Sequence, residues 1–160
     1  MKLILLLAFT LSASAQEAPR YPNYFVSMGG GYTRNAEPNA AEGWLSGAIQ
    51  IGSDSPYYSI TTIDMNATTS SVRTGFAKVF AQSGATTLMG RVDAGISTIT
   101  PVVGSFTGGA ILLYDLGRKW PKFQGNFLLG EVRISGVTAA TSKVPNQVVP
   151  GFYFGFGKTF

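Results

Sequence analysis

The chain contains no cysteine and no histidine. The first absence rules out disulfide staples and the thiolate sites that hold zinc or iron–sulfur clusters. The second removes the imidazole, so the usual nucleophile–base arrangements cannot be assembled. Charge is scarce too: 12% of residues, against about 25–35% on a typical soluble surface. The net charge of +4 comes from scattered basic residues, which draw no nucleic-acid footprint. Past the N-terminus no stretch is apolar for the roughly 20 residues that a membrane-crossing helix needs. Met28-Gly29-Gly30-Gly31 is glycine-rich, but no Lys-Ser/Thr follows it and it forms no phosphate-binding loop. No cofactor or metal is expected.

The first residues carry an export signal. Lys2 is a short positive region, residues 3–11 are apolar, and Ser12-Ala13-Ser14-Ala15 supplies small residues for cleavage. This is the layout of a secretory signal peptide, and Gln16 or a neighbour becomes the mature N-terminus. The division expected is residues 1–15 as the signal and 16–160 as one domain.

The rest of the chain repeats one pattern, about ten residues rich in Val, Ile, Thr, Tyr, Phe and Gly followed by a turn cluster. Evenly spaced short strands suggest a sandwich or barrel. Eight segments can be drawn: 24–34, 44–52, 57–66, 71–81, 86–99, 105–116, 123–137 and 151–160. Lengths near ten suit strands that cross a bilayer at a tilt of about 45°. The fold class expected is all-β, an eight-stranded antiparallel transmembrane up-and-down barrel. An even strand count puts both termini on one side and the long connections, 35–43 and 138–150, on the other. Proline cannot donate to a sheet ladder, and all eight prolines are expected outside the strands (Pro19, Pro22, Pro38, Pro56, Pro101, Pro121, Pro145, Pro150). Tyr32, Trp44, Tyr57, Tyr114, Trp120 and Phe123 fall near strand ends, where membrane barrels carry aromatic girdles.

Alternate residues of a strand face opposite sides. In 86–99, Leu88, Val92, Ala94 and Ile96 share one face, while Met89, Arg91, Asp93 and Ser97 share the other. Val132 and Ile134 likewise oppose Glu131 and Arg133. Alternation alone fits a soluble barrel with its apolar face inward or a membrane barrel with that face outward. Polar faces built mostly from Gly, Ser and Thr suit a crowded interior better than open water. An inverted barrel then points Asp64, Arg91, Asp93, Asp115, Glu131 and Arg133 into the lumen, joined by Lys78. Buried charges must pair to offset desolvation, and so a salt-bridged plug is expected rather than an ion path.

The C-terminus is the most specific element. In Gly151-Phe152-Tyr153-Phe154-Gly155-Phe156-Gly157-Lys158-Thr159-Phe160, the residues Phe152, Phe154, Phe156 and Phe160 occupy one phase. This resembles the final strand of bacterial outer-membrane barrels, with Lys158 standing where that family usually has a hydrophobic residue. Pattern and strand count together resemble the small outer-membrane protein A and X type barrels. The resemblance implies a bacterial outer-membrane location, lipid as the surrounding partner, and these phenylalanines as the signal read by the barrel-assembly machinery. Enzymes among small outer-membrane barrels generally use a histidine, which this chain lacks, and no enzymatic activity is expected. The reading is a structural or surface-interaction protein acting through outer loops whose composition names no ligand. Two others remain open: a secreted lipocalin- or avidin-like barrel binding a small apolar ligand, and a narrow pore.

Overall fold

Segments rich in β-branched and aromatic residues favour extended backbone, and their N–H and C=O groups must then find partners across strands. In the computed structural model, which describes residues 22–33, 40–66, 69–98, 103–138 and 147–160, eight strands meet that need by closing on themselves. They are β1 (Tyr24–Thr33), β2 (Ala40–Gln50), β3 (Tyr57–Met65), β4 (Ser70–Ser83), β5 (Thr86–Ser97), β6 (Val103–Asp115), β7 (Asn126–Thr138) and β8 (Gln147–Thr159). Each pairs antiparallel with its neighbour in sequence, and β8 pairs back onto β1 from Phe25↔Thr159 to Thr33↔Gly151. Closure gives β1 and β8, the strands that would otherwise be edges, a partner on both sides.

Three connections lie at one end with Tyr24 and Phe160, which we call the turn end. Between β4 and β5 a two-residue turn starts at Gly84, whose φ of 54° is the glycine-first geometry of a tight hairpin. Between β6 and β7 the short helix Pro121–Phe123 takes up the chain, so Phe123 lies outside β7 rather than at its start. At the loop end the strands run further than the sequence pattern suggested. Residues 40–43 belong to β2, Thr138 to β7 and 147–150 to β8, which shortens both long connections. Pro150 therefore sits inside a strand. It pairs with Ile134 of β7, near the end of the strand. The signal peptide and the connections 34–39 and 139–146 lie outside the described residues.

Orientation follows the alternation of the strands, interrupted in β4 by a register shift between Val79 and Ala81. Val26, Phe76, Val92, Leu128, Val132 and Phe154 point outward, while Phe25, Ile60, Arg91, Ile111 and Arg133 point inward. The barrel is apolar outside and carries its charges within. Its interior has two storeys. Towards the turn end it is packed with Phe25, Tyr58, Ile60, Met89, Ile111 and Phe127, and towards the loop end with hydroxyls, arginines and carboxylates. The apolar storey departs from the expected wholly polar filling. Trp44 also departs from the girdle proposed for it: only 4% exposed, it faces the lumen beside Gly155.

Val92 is 63% exposed on the outward face. In a bilayer, Val92→Arg should cost about 2–4 kcal/mol if the site lies near the midplane. Urea unfolding of the lipid-embedded protein checks this, and an unchanged midpoint would mean that Val92 does not meet lipid.

A ring of alternating charge in the lumen

Three arginines and three carboxylates form the upper storey, and they are connected in a closed cycle. Starting from Asp64 on β3, its Oδ1 accepts from Arg133 Nη1 at 2.6 Å. Arg133 Nη2 reaches Glu131 Oε2 at 2.7 Å, and its Nε reaches Oε1 at 3.0 Å. Glu131 Oε1 then lies 3.2 Å from Arg91 Nη1. Arg91 pairs with Asp93, and Asp93 Oδ1 lies 3.1 Å from Arg73 Nε. Arg73 closes the circuit on Asp64. Positive and negative groups alternate all the way round, so every charge has two opposite neighbours and the ring is neutral.

Backbone register explains how four strands supply one ring. Residues two apart on a strand share a face, which places Arg91 beside Asp93 and Glu131 beside Arg133. The side chains of β5 must cross β6 to meet β7, and β6 offers Gly109 at that level, opposite both Arg91 and Arg133. A Cβ on Gly109 would lie 2.5 Å from the Val132 carbonyl oxygen. Hydroxyls add to the shell: Arg91 Nη2 donates to Thr62 Oγ1 at 2.7 Å, and Arg73 Nη1 donates to Ser71 Oγ at 2.9 Å, while Arg73 Nε, Arg91 Nε and Asp93 Oδ1 make no hydrogen bond. Above the ring, the Arg133 guanidinium carbon stands 3.9 Å from the centre of the Tyr153 ring, whose hydroxyl donates to Glu42 Oε2 at 2.6 Å.

Of the seven ionic residues expected in the lumen, the structure brings Asp64, Arg91, Asp93, Glu131 and Arg133 together and leaves out two. Lys78 lies in the outward phase of β4 with Phe76 and Phe80, its Nζ 5.2 Å from the Tyr57 ring centre. Asp115 ends β6 at the turn end, where its Oδ1 accepts from the Gly117 amide at 2.8 Å. Arg73 takes the place assigned to Lys78. The signal for it was present, since Val72, Phe76 and Phe80 mark one phase of β4, while Arg73 shares the other with Ser71, Gly75 and Ala77. Glu42 was missed because it fell in a segment read as loop. Phe152, Phe154 and Phe156 face outward from β8, and the Phe160 ring stacks on Tyr24 at 5.2 Å.

With buried ion pairs inside and an apolar outer wall, the arrangement can close a lumen and present lipid with a compatible surface. No family model and no curated protein matches the chain. Among solved structures, a chain from the de novo design of transmembrane β-barrels superposes with a TM-score of 0.54 at 14% identity, over 88% of this chain and 98% of that one. The fold is that of a transmembrane β-barrel. At that identity the likeness speaks to architecture alone, and the charged ring of this barrel has to be understood from its own residues.

Removing one member of a buried ion pair strands its partner, at a cost of about 3–5 kcal/mol. Arg133→Met should destabilise the lipid-embedded barrel by about that amount in urea unfolding, whereas Lys78→Gln, outside the ring, should stay within about 0.5 kcal/mol. Equal effects would mean that the ring does not carry its share of stability. Gly109→Val should cost about 1–3 kcal/mol by forcing β6 and β7 apart, and a neutral result would show that the crossing at Gly109 tolerates a side chain.

Proposed function

We propose that the chain is an integral protein of the bacterial outer membrane, exported by its N-terminal signal, with a structural or surface-interaction role carried by its loop-end connections. The observation that carries this reading is the inversion of the barrel: Phe76, Val92, Phe152 and Phe154 are more than half exposed while Arg91, Asp93, Glu131 and Arg133 are buried. A secreted soluble barrel would present that surface to water, where a contiguous apolar belt drives association.

The turn-end rim supports the same reading. Lys78, Lys119, Lys122 and Lys158 each hold an ammonium 5.1–5.7 Å from the centre of an aromatic ring, namely Tyr57 and Phe80, Trp120, Phe123 and Phe160. Aromatic residues flank the apolar band of membrane barrels, and lysine stems lie along apolar surface with their charge kept in water. Lys158, which departs from the hydrophobic residue usual in the final strand, fits this rim as a snorkelling cation. The phenylalanines of β8 stand outward, available to the assembly machinery as the strand is received.

The lumen is a plug rather than a pore. An eight-stranded barrel is just wide enough for side chains to fill, and the charge ring spans it from β3 to β7. The chain is not an enzyme in this reading: its lumen carboxylates are committed to arginines, and no histidine or cysteine supplies a base or nucleophile.

Electrophoresis of the envelope fraction in SDS, with and without boiling, tests the proposal. A closed membrane barrel should stay with carbonate-washed membranes, resist SDS when cold, and shift on heating. Recovery in the soluble fraction would overturn the membrane assignment and make the ligand-binding barrel the leading alternative.

A further inference from the structure

Below the charge ring the interior is not filled to the end. A cavity of about 580 Å³ opens at the turn end of the barrel, within the roughly 300–1,000 Å³ range of small-molecule sites. Its inner wall includes Phe25, Tyr58, Met89, Leu113 and Phe127. The aromatic part of that wall is braced. Phe25 meets Phe127 edge-on and Tyr58 at a tilt, both at 5.6 Å between ring centres, and the Tyr58 hydroxyl donates to the Pro22 carbonyl at 3.0 Å. A wall held in place before binding loses little freedom when a ligand arrives. The charge ring lies above it, so the cavity is blind.

Two acceptors stand among the polar groups that line the opening. Gln82 Oε1 is buried in the lining without a hydrogen-bond partner. The Asp115 carboxylate also lines the cavity, with Oδ1 engaged by the Gly117 amide and its negative charge facing no cation in an ion pair among the described residues. The Asn126 amide, a potential donor, is already directed at the carbonyls of Phe123 and Gln124, at 3.1 and 3.4 Å. Lys119 and Lys122 fold over Trp120 and Phe123 and do not line the cavity.

We propose that this cavity binds a single-chain amphiphile with a cationic, hydrogen-bond-donating head. The alkyl chain packs against Phe25, Tyr58, Met89 and Phe127, and the ammonium lies at Asp115 and Gln82 Oε1. The test rests on the membrane reading only for its medium: failure to refold into nanodiscs would count against that reading, whereas a folded barrel whose Met89 does not respond counts against this site.

The methionines provide the readout. Met89 lies in the cavity wall and is 1% exposed, while Met28 and Met65 stand on the outer face at 47% and 53%. With ¹³C-labelled methionine methyls, the exported chain (16–160) is refolded into phosphatidylcholine nanodiscs and titrated with decylamine, then with decanoate. Expected is a saturable shift at Met89 with decylamine, while Met28 and Met65 change only in proportion to the amine dissolved in the lipid. Decanoate should bind at least about tenfold more weakly, because its head repels Asp115 and gives Gln82 no donor. Asp115→Asn should bring the two ligands within about threefold of each other. Thr87→Trp, at another lining position, should abolish the Met89 response while keeping the cold-SDS band of the folded barrel. A Met89 signal that stays still or merely tracks Met28 and Met65 overturns the proposal. So does decanoate binding as well as decylamine, or a folded Thr87→Trp protein that responds like the wild type.

Discussion

Six ionised groups share a space that eight strands scarcely leave open, and the rest of the structure is arranged around making that tolerable. Taking an arginine or a carboxylate out of water costs several kcal/mol per ion. One opposite partner each would leave lone pairs and N–H groups unmet. The closed cycle from Asp64 through Arg133, Glu131, Arg91, Asp93 and Arg73 gives every member two opposite neighbours. Such a cycle works only if the strands hold fixed registers, because a one-residue slip would turn a strand's charges onto the apolar outer face. Gly109 lets β5 and β7 touch across β6, and the hydroxyls of Thr62 and Ser71 take N–H groups that the carboxylates leave over.

Much of this was legible in the chain, and for a physical reason. A period of two is strong wherever a strand separates two environments, and β3, β5 and β7 each separate lipid-compatible residues from charges. Strand number, pairing order and five of the six ring members follow from that alternation. Lys78 misled because a long amphipathic side chain suits an outward girdle as readily as a lumen, and only its shared phase with Phe76 and Phe80 decides between them. Asp115 lies in the inward phase of β6, but phase does not say how far along the axis a residue sits. Trp44 and Pro150 were misplaced for a different reason. Composition shows where turn-forming residues cluster, but not how far a ladder continues once a neighbour is available to pair. The apolar lower storey is visible only in part in the sequence, since Ile111 and Leu113 share the inward phase of β6 with Ser105 and Thr107.

The two storeys divide the work of a small barrel. The upper ring closes the lumen and holds β3, β4, β5 and β7 in mutual register, while the lower storey supplies the apolar packing that any domain of this size needs. Separating the two keeps hydrocarbon contacts and ion pairs from competing for the same volume. It also leaves a cavity open at the turn end.

The ring also bears on how the barrel is made. Arg133 and Asp64 are 69 residues apart in the chain, and the seam between β1 and β8 joins Phe25 to Thr159. Contacts this distant in sequence are slow to form. Until β7 comes alongside, Asp64 lacks the Arg133 half of its pairing, and the arginines are costly to carry into a hydrocarbon layer alone. In a bilayer, insertion and closure would therefore be tied together, because the ring is complete only once β7 stands beside the earlier strands. A chain cut short before β7 would keep two arginines and two carboxylates, neutral in sum, but Asp64 and Arg91 would each lack one of their two opposite neighbours.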